Sequence, residues 1–496
     1  MSYFYVGVGG SGAKLMQALI HLSAAGLLSV DGGSQVLKAF LVDPDKSNGS
    51  IDECKRIYDL YNACRPIKLG EKAALLRNDV HLSGPWSPLA DDRASMNSEF
   101  SYAQLQQVNP VDADLMELLY SEDDRNVSLA QGFRGRPAIG AAVFSQSIDF
   151  GTGMWNELYT AAQSAHAFGD VSIFLGGSIF GGSGAAGVPT ICRILKEKLQ
   201  QKIQNLRMGM VLFLPYFTYK KIEDETIQAD PAQFSAAAEE ALKYYDERQF
   251  LDICNAIYAV GDTPPARMPV SAFGAKEQRN PPHYVELIAG LGAFRFFTNG
   301  WNKGPQPSDG VHTVSLASRS EENSLTWKDI PAEARPDPRL ELLQQFILFA
   351  VSYHYFLFPF ISTCKDRKHP LRDLIGMTPW NKALSELQAI DSYVVSFLEW
   401  LLAICTQDRD GASVFSNGLI DVNVIGEMHD LQYRLKPVGQ VHEEKVADLF
   451  LNRPECRRPK IRAIFAKSTD FVSDQNIEGA GMLVRAIYEA CNASRR

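Results

Sequence analysis

Residues 3–15 read YFYVGVGGSGAKL, a short apolar run that breaks into glycine and resumes with helix-forming residues. Gly7, Gly9 and Gly12 have the GxGxxG spacing, with Gly10 and Ser11 between the last two. The motif follows a predicted strand (residues 3–6) and precedes a predicted helix (14–28) whose Leu15, Ala18, Leu19 and Leu22 share one face. Glycine there allows a tight turn and close approach of the backbone to a phosphate. The helix N-terminus behind it offers free amides and the positive end of a dipole. A plain strand–helix turn would also use glycine, but four glycines in six residues at the first βα turn exceed that need. A second predicted strand, Val36–Val42, ends at Asp43, where a Rossmann fold places the acid that holds a ribose. The spacing from Gly12 is longer than the usual ~20 residues.

Further on, residues 171–190 read VSIFLGGSIFGGSGAAGVPT: a strand (171–175), a second glycine loop, then a helix (186–204). More strands follow at 208–214 and Ala256–Val260, with helices at 232–250 and 283–298; residues 46–130 are polar and irregular. Strands alternating with helices predict an α/β domain with a mainly parallel sheet, which binds ligands at the carboxyl ends of its strands. Gly7–Gly12, Asp43 and the second glycine loop all stand at such ends. A simple dinucleotide site has no use for a second phosphate cradle half a domain away, whereas a nucleoside triphosphate held by two loops does. The opposing reading of the second loop is close packing of strand and helix.

At this point the chain resembles the tubulin/FtsZ superfamily. Residues 177–189, GSIFGGSGAAGVP, align without gaps with that family's phosphate-gripping loop, AGMGGGTGTGAAP in its bacterial form. Gly181, Gly182, Ser183, Gly184 and Pro189 stand at matching positions, while Phe180 replaces the first glycine and Ala185-Ala186 the last Thr-Gly. Residues 131–142, QGFRGRPAIGAA, are similar to the family segment beside the γ-phosphate. That assigns Gly132, Gly135, Pro137 and Gly140 to the site, with Arg134 and Arg136 as additions able to neutralise phosphate charge or to serve as solvated surface. The helix at 283–298 resembles the core helix between the two tubulin domains. Asn280, fifteen residues before Arg295-Phe296, corresponds to the base-reading Asn, with His283 and Glu286 as alternatives. For His283 a first-turn helix residue with no ligand is the preferred reading.

The resemblance covers residues 1–300 and points to the divergent prokaryotic tubulin-like proteins. It implies a tubulin-like, Rossmann-type α/β GTPase domain with a parallel sheet and core helix (1–300), a linker (301–329), and a divergent, mainly helical C-terminal region (330–496). It further implies GTP or GDP with Mg2+ as ligands and self-association into oligomers or filaments. Hydrolysis in the family needs an acidic loop after the core helix that reaches the neighbouring subunit's nucleotide. Residues 298–315 read TNGWNKGPQPSDGVHTVS; Asn299 or Asn302 could open such a motif, but Asp309 is the nearest acid and Glu321-Glu322 come later. No catalytic residue is therefore assigned, and the expected activity is weak or partner-dependent hydrolysis. Two other readings stand beside this one: a Rossmann-type NAD(P)- or ATP-dependent enzyme, and a non-hydrolysing scaffold.

Bulk properties agree with a folded chain that binds a small anion. It has 496 residues, 46% hydrophobic and 22% charged, enough for a sizeable core. Lys+Arg 49 against Asp+Glu 58 give a net charge of -9, which argues against a general nucleic-acid coat but leaves backbone amides free to hold one triphosphate. The start of the chain lacks a secretory pattern, and the eight cysteines form no CxxC pair, so free thiols and a cytoplasmic location are expected. Residues 346–363, FILFAVSYHYFLFPFIST, read as a buried aromatic helix rather than a membrane span. Residues 419–425 look strand-like, and the basic run 453–462, RPECRRPKIR, reads as solvated surface that leaves room for a protein partner.

Overall fold

A computed structural model gives the fold and describes residues 2–29, 35–70, 73–91, 94–130, 132–133, 135–219, 230–263, 265–268, 280–298, 313–317, 325–330, 338–363, 375, 378–408, 414–430, 432–446, 448–450, 477 and 479–495. Seven strands form one parallel sheet: β1 (Ser2–Val8), β2 (Val36–Val42), β3 (Asp79–Trp86), β4 (Val171–Ser178), β5 (Leu206–Phe213), β6 (Ala256–Val260) and β7 (Thr313–Ala317). Their order is β3-β2-β1-β4-β5-β6-β7, every neighbouring pair parallel. The chain leaves β1 towards β2 and returns to its other side as β4, so the sheet has its topological switch point between β1 and β4. This is a Rossmann-like α/β core, and the crevice at that switch point is where such sheets bind ligands.

The alternation within β1 shows why both faces must be covered. Tyr3 and Tyr5 join one buried apolar cluster; Phe4, Val6 and Val8 join the other. The second face is covered by α3 (Pro137–Ser147), α4 (Gly153–His166) and α5 (Ser183–Gln200), through Phe144, Trp155, Ile191 and Leu195. The first face is covered by α1 (Gly9–Ala24) with α2 (Gly49–Cys64) beside it, and by the core helix Tyr284–Phe297. That helix is α7 here, after α6 (Phe234–Glu247). Mean burial along α7 leaves almost nothing to solvent, and Phe297 stacks on Tyr3 with ring centroids 4.9 Å apart.

The helices of the C-terminal region, α8 (Pro338–Ser352), α9 (Trp380–Cys405) and α10 (Ala480–Arg495), share this first-face core. Helix α9 lies along α2. The stretches Pro338–Thr363 and Trp380–Cys405 are long and apolar enough to cross a membrane, yet their apolar windows are 61% and 67% buried against the rest of the fold, as expected of core helices.

Two strands escape the sequence pattern. β3 lies within the stretch read as irregular: it contains Gly84-Pro85, which an interior strand would not tolerate but an edge strand does. β7 lies within the expected linker 301–329 and pairs with β6 from Thr313↔Ala256 to Ala317↔Val260. Residues 419–425 were expected to be a strand. Instead Val422–Ile425 is one helical turn, because the Asp421 carboxylate caps it by accepting from the Asn423 amide. The basic run 453–462 lies outside the described residues.

His21 ties the two regions together. Its Nδ1 lies 3.0 Å from the Tyr393 hydroxyl, and its ring packs on Trp400 with centroids 4.9 Å apart. Burial, reinforced by the Arg56 charge, lowers its pKa to about 3. The unfolded chain therefore takes up a proton near pH 6.5 that the folded chain refuses, so stability falls on acidification through that window. We expect His21→Gln to lose about 1–2 kcal/mol less than the parent between pH 6.5 and 5 in urea unfolding. Equal losses would contradict this role.

Candidate functional site

Register sets the site. Gly7 on β1 is the Cα partner of Gly176 on β4, so the two glycine loops leave the sheet at the same level on either side of the switch point. The structure then sorts the expected glycines. Gly12 is a packing residue: a methyl group on it would lie 2.6 Å from the Gly7 carbonyl carbon and 2.7 Å from the Gly176 oxygen. Gly7 is similarly crowded by Gly12 and Tyr5, whose hydroxyl donates to the Gly12 carbonyl (2.8 Å). On Gly184 a methyl would collide with the Ser178 carbonyl. These three are explained by the fold alone.

Others are not. Gly9 has φ +72° and its Cβ position is 3.4 Å from the Ser183 Cβ, which puts the first loop directly against the second. Gly132 (φ +88°) faces only the Ser183 Oγ, at 3.7 Å. Gly181 meets only the rotatable Ser178 hydroxyl. Gly182 lies beside the Gly135 amide, 3.1 Å from its Cβ position, and Pro137 opens α3 as its exposed first residue. Gly10, Ser11, Gly181, Gly182 and Ser183 are half-buried, so the crevice between the loops is reachable from solvent. Three segments far apart in sequence thus meet at one place. Arg134 lies outside the described residues. Arg136 is buried, and its Nε donates to Asp124 at 2.7 Å.

Electrostatics at this place favour an anion. Helices α1 and α5 both begin here, and neither has a side-chain cap on its first amides; α3 also starts without one. By contrast, α2 is capped by Asn48 and α7 by His283. Two long helices therefore direct uncapped N–H groups and their dipoles into one crevice, the arrangement that binds phosphate in other βα turns.

Asp43 stands beside it. Its carboxylate accepts from the Asp45 amide (3.0 Å) and from Asn48 Nδ2 (3.3 Å), and Asn48 Nδ2 is in turn 3.3 Å from the Cβ position of Gly10. Burial outweighs those hydrogen bonds and raises the Asp43 pKa to about 8. Among the described residues no three His, Cys, Asp or Glu side chains cluster as a metal site. Magnesium does not require one, since it is held mostly by phosphate oxygens and water with one or two protein oxygens.

Asn280 is placed elsewhere. It lines a cavity of about 530 Å³ together with Gln17, Ser50 and His283. His283 itself is the N-cap of α7: its Nδ1 accepts from the Val285 amide and Glu286 Oε2 accepts from its own amide, a reciprocal cap. Glu286 is bound to the core rather than to a ligand. It is fully buried 2.5 Å from the Lys14 ammonium and accepts from the Tyr216 hydroxyl (3.0 Å). Sequence reasoning missed Lys14, Asn48, Ser50 and Tyr216; Asp262, singled out at the carboxyl end of β6, lies 3.6 Å from His283 Nε2. One signal was present: Lys14, Gln17 and His21 form a polar stripe at helical spacing on an otherwise apolar helix.

Asp43→Asn should abolish a pH dependence. The parent's folded carboxyl keeps its proton up to about pH 8 while the unfolded one loses it near pH 4, so this position lowers stability as pH rises between those values. The variant, compared with the parent by thermal melting, should gain relative stability from pH 5 to pH 8; a constant difference would contradict the assignment. No protein-family model matches this chain and no curated protein sequence does, so its functional reading rests on the geometry of this crevice.

Proposed function

We propose that the chain is a tubulin-like GTP-binding protein. The observation that carries the reading is the meeting of two uncapped helix N-termini, at Gly9 and Ser183, over three glycine segments at the switch point of a parallel sheet. In the proposed complex the triphosphate lies along Gly9–Gly12, Gly132–Gly135 and Gly181–Gly184. Backbone amides supply its hydrogen bonds, and Mg2+ arrives with the phosphates and offsets their charge. Helix α7 is the counterpart of the tubulin core helix, packed on α1 with its N-terminus at the Asn280 cavity. Self-association into oligomers or filaments belongs to the same reading.

Turnover in this reading depends on positioning and on charge stabilisation rather than on covalent chemistry. The crevice supplies both through fixed amides and dipoles. The segment that would carry an acidic loop, including Asn299, Asn302, Asp309 and Glu321-Glu322, lies outside the described residues. Hydrolysis is accordingly proposed to be weak or to depend on a partner subunit.

Calorimetric titration separates this reading from a dinucleotide enzyme. GTP should give a clear binding isotherm and NAD none; NAD binding without GTP binding would overturn it. Gly181→Ala should keep a melting temperature close to the parent's, because only the Ser178 hydroxyl must rotate, while weakening GTP binding about tenfold or more, worth about 1.4 kcal/mol. An unchanged affinity would show that the second loop does not touch the ligand. For self-association, GTP-dependent pelleting is expected, and phosphate release measured in the same samples separates a hydrolysing protein from a scaffold.

A further inference from the structure

A helical hairpin between β3 and α3 turns apolar residues outward. Its two arms, Tyr102–Val108 and Pro110–Leu119, pack on one another, and the second reaches the core through Ala113 and Met116, 3% and 6% exposed. Val111, Leu115 and Leu118 recur at i, i+4 and i+7 on the side away from those two residues. With Val108 and Leu119 they make a stripe of five large apolar side chains, each between 50% and 82% exposed. Folding gives no reason for the stripe, because this helix already has a buried face. An exposed apolar patch of that kind marks a contact surface.

The charges beside the stripe select its occupant. Helical spacing puts Asp112 on one flank and Asp114 with Glu117 on the other, and Glu122 and Asp123 follow; all five are exposed. In residues 94–130 the single base is Arg125, whose side chain is 12% exposed, 3.5 Å from Glu117 and over the Tyr102 ring. Two identical stripes would bring these acids face to face, and an anionic membrane surface would repel them. The complement is a basic segment that also carries apolar side chains.

This chain contains such a segment. Residues 453–467, RPECRRPKIRAIFAK, hold six bases against one acid, with Ile461, Ile464 and Phe465 in their second half; they lie outside the described residues. The described residues that flank 451–476 are both on the first-face side of the sheet. Phe450 packs on that core, and Ile477 stands against Gly70, just past α2. Met116 of the hairpin belongs to the second-face core. The sheet therefore stands between the stripe and both flanks of the basic segment within one copy, which favours a neighbouring copy as its source. We propose that the stripe at Val111, Leu115 and Leu118 docks residues 453–467 of a second copy of this chain. The two surfaces differ, so the contact is heterologous and repeats head to tail. It needs no nucleotide and stands apart from the GTP reading.

The test is sedimentation velocity of the full chain without nucleotide, at low and high salt, with melting temperature as the folding control. The parent should associate as its concentration rises, and salt should weaken that association. The double variants Asp112→Lys with Asp114→Lys and Arg457→Glu with Arg458→Glu should each weaken it about tenfold or more. An equimolar mixture of the two should restore it, because each supplies the charge that the other lost. Leu118→Ser, at a side chain 82% exposed, leaves the charges in place and should weaken association likewise. It keeps the test decisive if the lysine variant does not fold. A parent that stays monomeric, folded variants that associate like the parent, or a mixture that does not associate would each overturn the proposal. Association lost with Leu118→Ser but kept by the arginine variant would overturn it too, because the stripe would then pair with itself. GTP binding is read by calorimetry, so failure here leaves the nucleotide reading standing.

Discussion

The close backbone contact between the first and second glycine loops is the constraint from which the rest of the structure follows. Gly12 fits against Gly7 and the Gly176 carbonyl with no room for a methyl group. That contact lets α1 start flush with the end of β1 and brings Gly9 within van der Waals reach of Ser183 at the start of α5. Two macrodipoles and two helix starts without side-chain caps then share one crevice. Like-oriented helix ends repel weakly, and an anion between them relieves that repulsion. Two helix dipoles thus point their positive ends at one place, which is how a chain of net charge -9 can present an anion site.

Behind the crevice, α1 carries a second layer of polar contacts. Lys14 meets Glu286 on α7, Gln17 meets the Ser50 carbonyl on α2, and His21 meets Tyr393 on α9. A buried ion pair such as Lys14–Glu286 adds little net stability, because desolvation offsets the attraction, but losing one partner would leave a buried charge and cost about 3–5 kcal/mol. These pairs serve to fix the register of α1 against its three neighbours. They also connect Tyr216, through Glu286, to the first turn of the core helix.

Much of this was legible in the sequence. The five interior strands had continuous apolar runs, and the glycine loops stood at their ends; both follow from local pattern. β3 and β7 were not legible: Gly84-Pro85 interrupts the apolar pattern of the first, and the second is a five-residue strand inside a turn-rich stretch. The meeting of Gly9, Gly132 and Ser183 could be expected only through family order, because nothing local links residues so far apart. Spacing could not separate packing glycines such as Gly12 from open ones such as Gly181, as that depends on which backbone lies opposite. Arg136 and Glu286 looked available for a ligand and are instead paired, with Asp124 and Lys14. Their partners are invisible without the tertiary contacts.

The most direct test of the central claim is an experimental structure of the full chain with GTP and Mg2+. The account predicts the triphosphate in the crevice, its oxygens within hydrogen-bond distance of the amides of Gly9–Gly12 and Gly182–Gly184. A nucleotide bound elsewhere, or a crevice that stays closed to phosphate at saturating GTP, would contradict it.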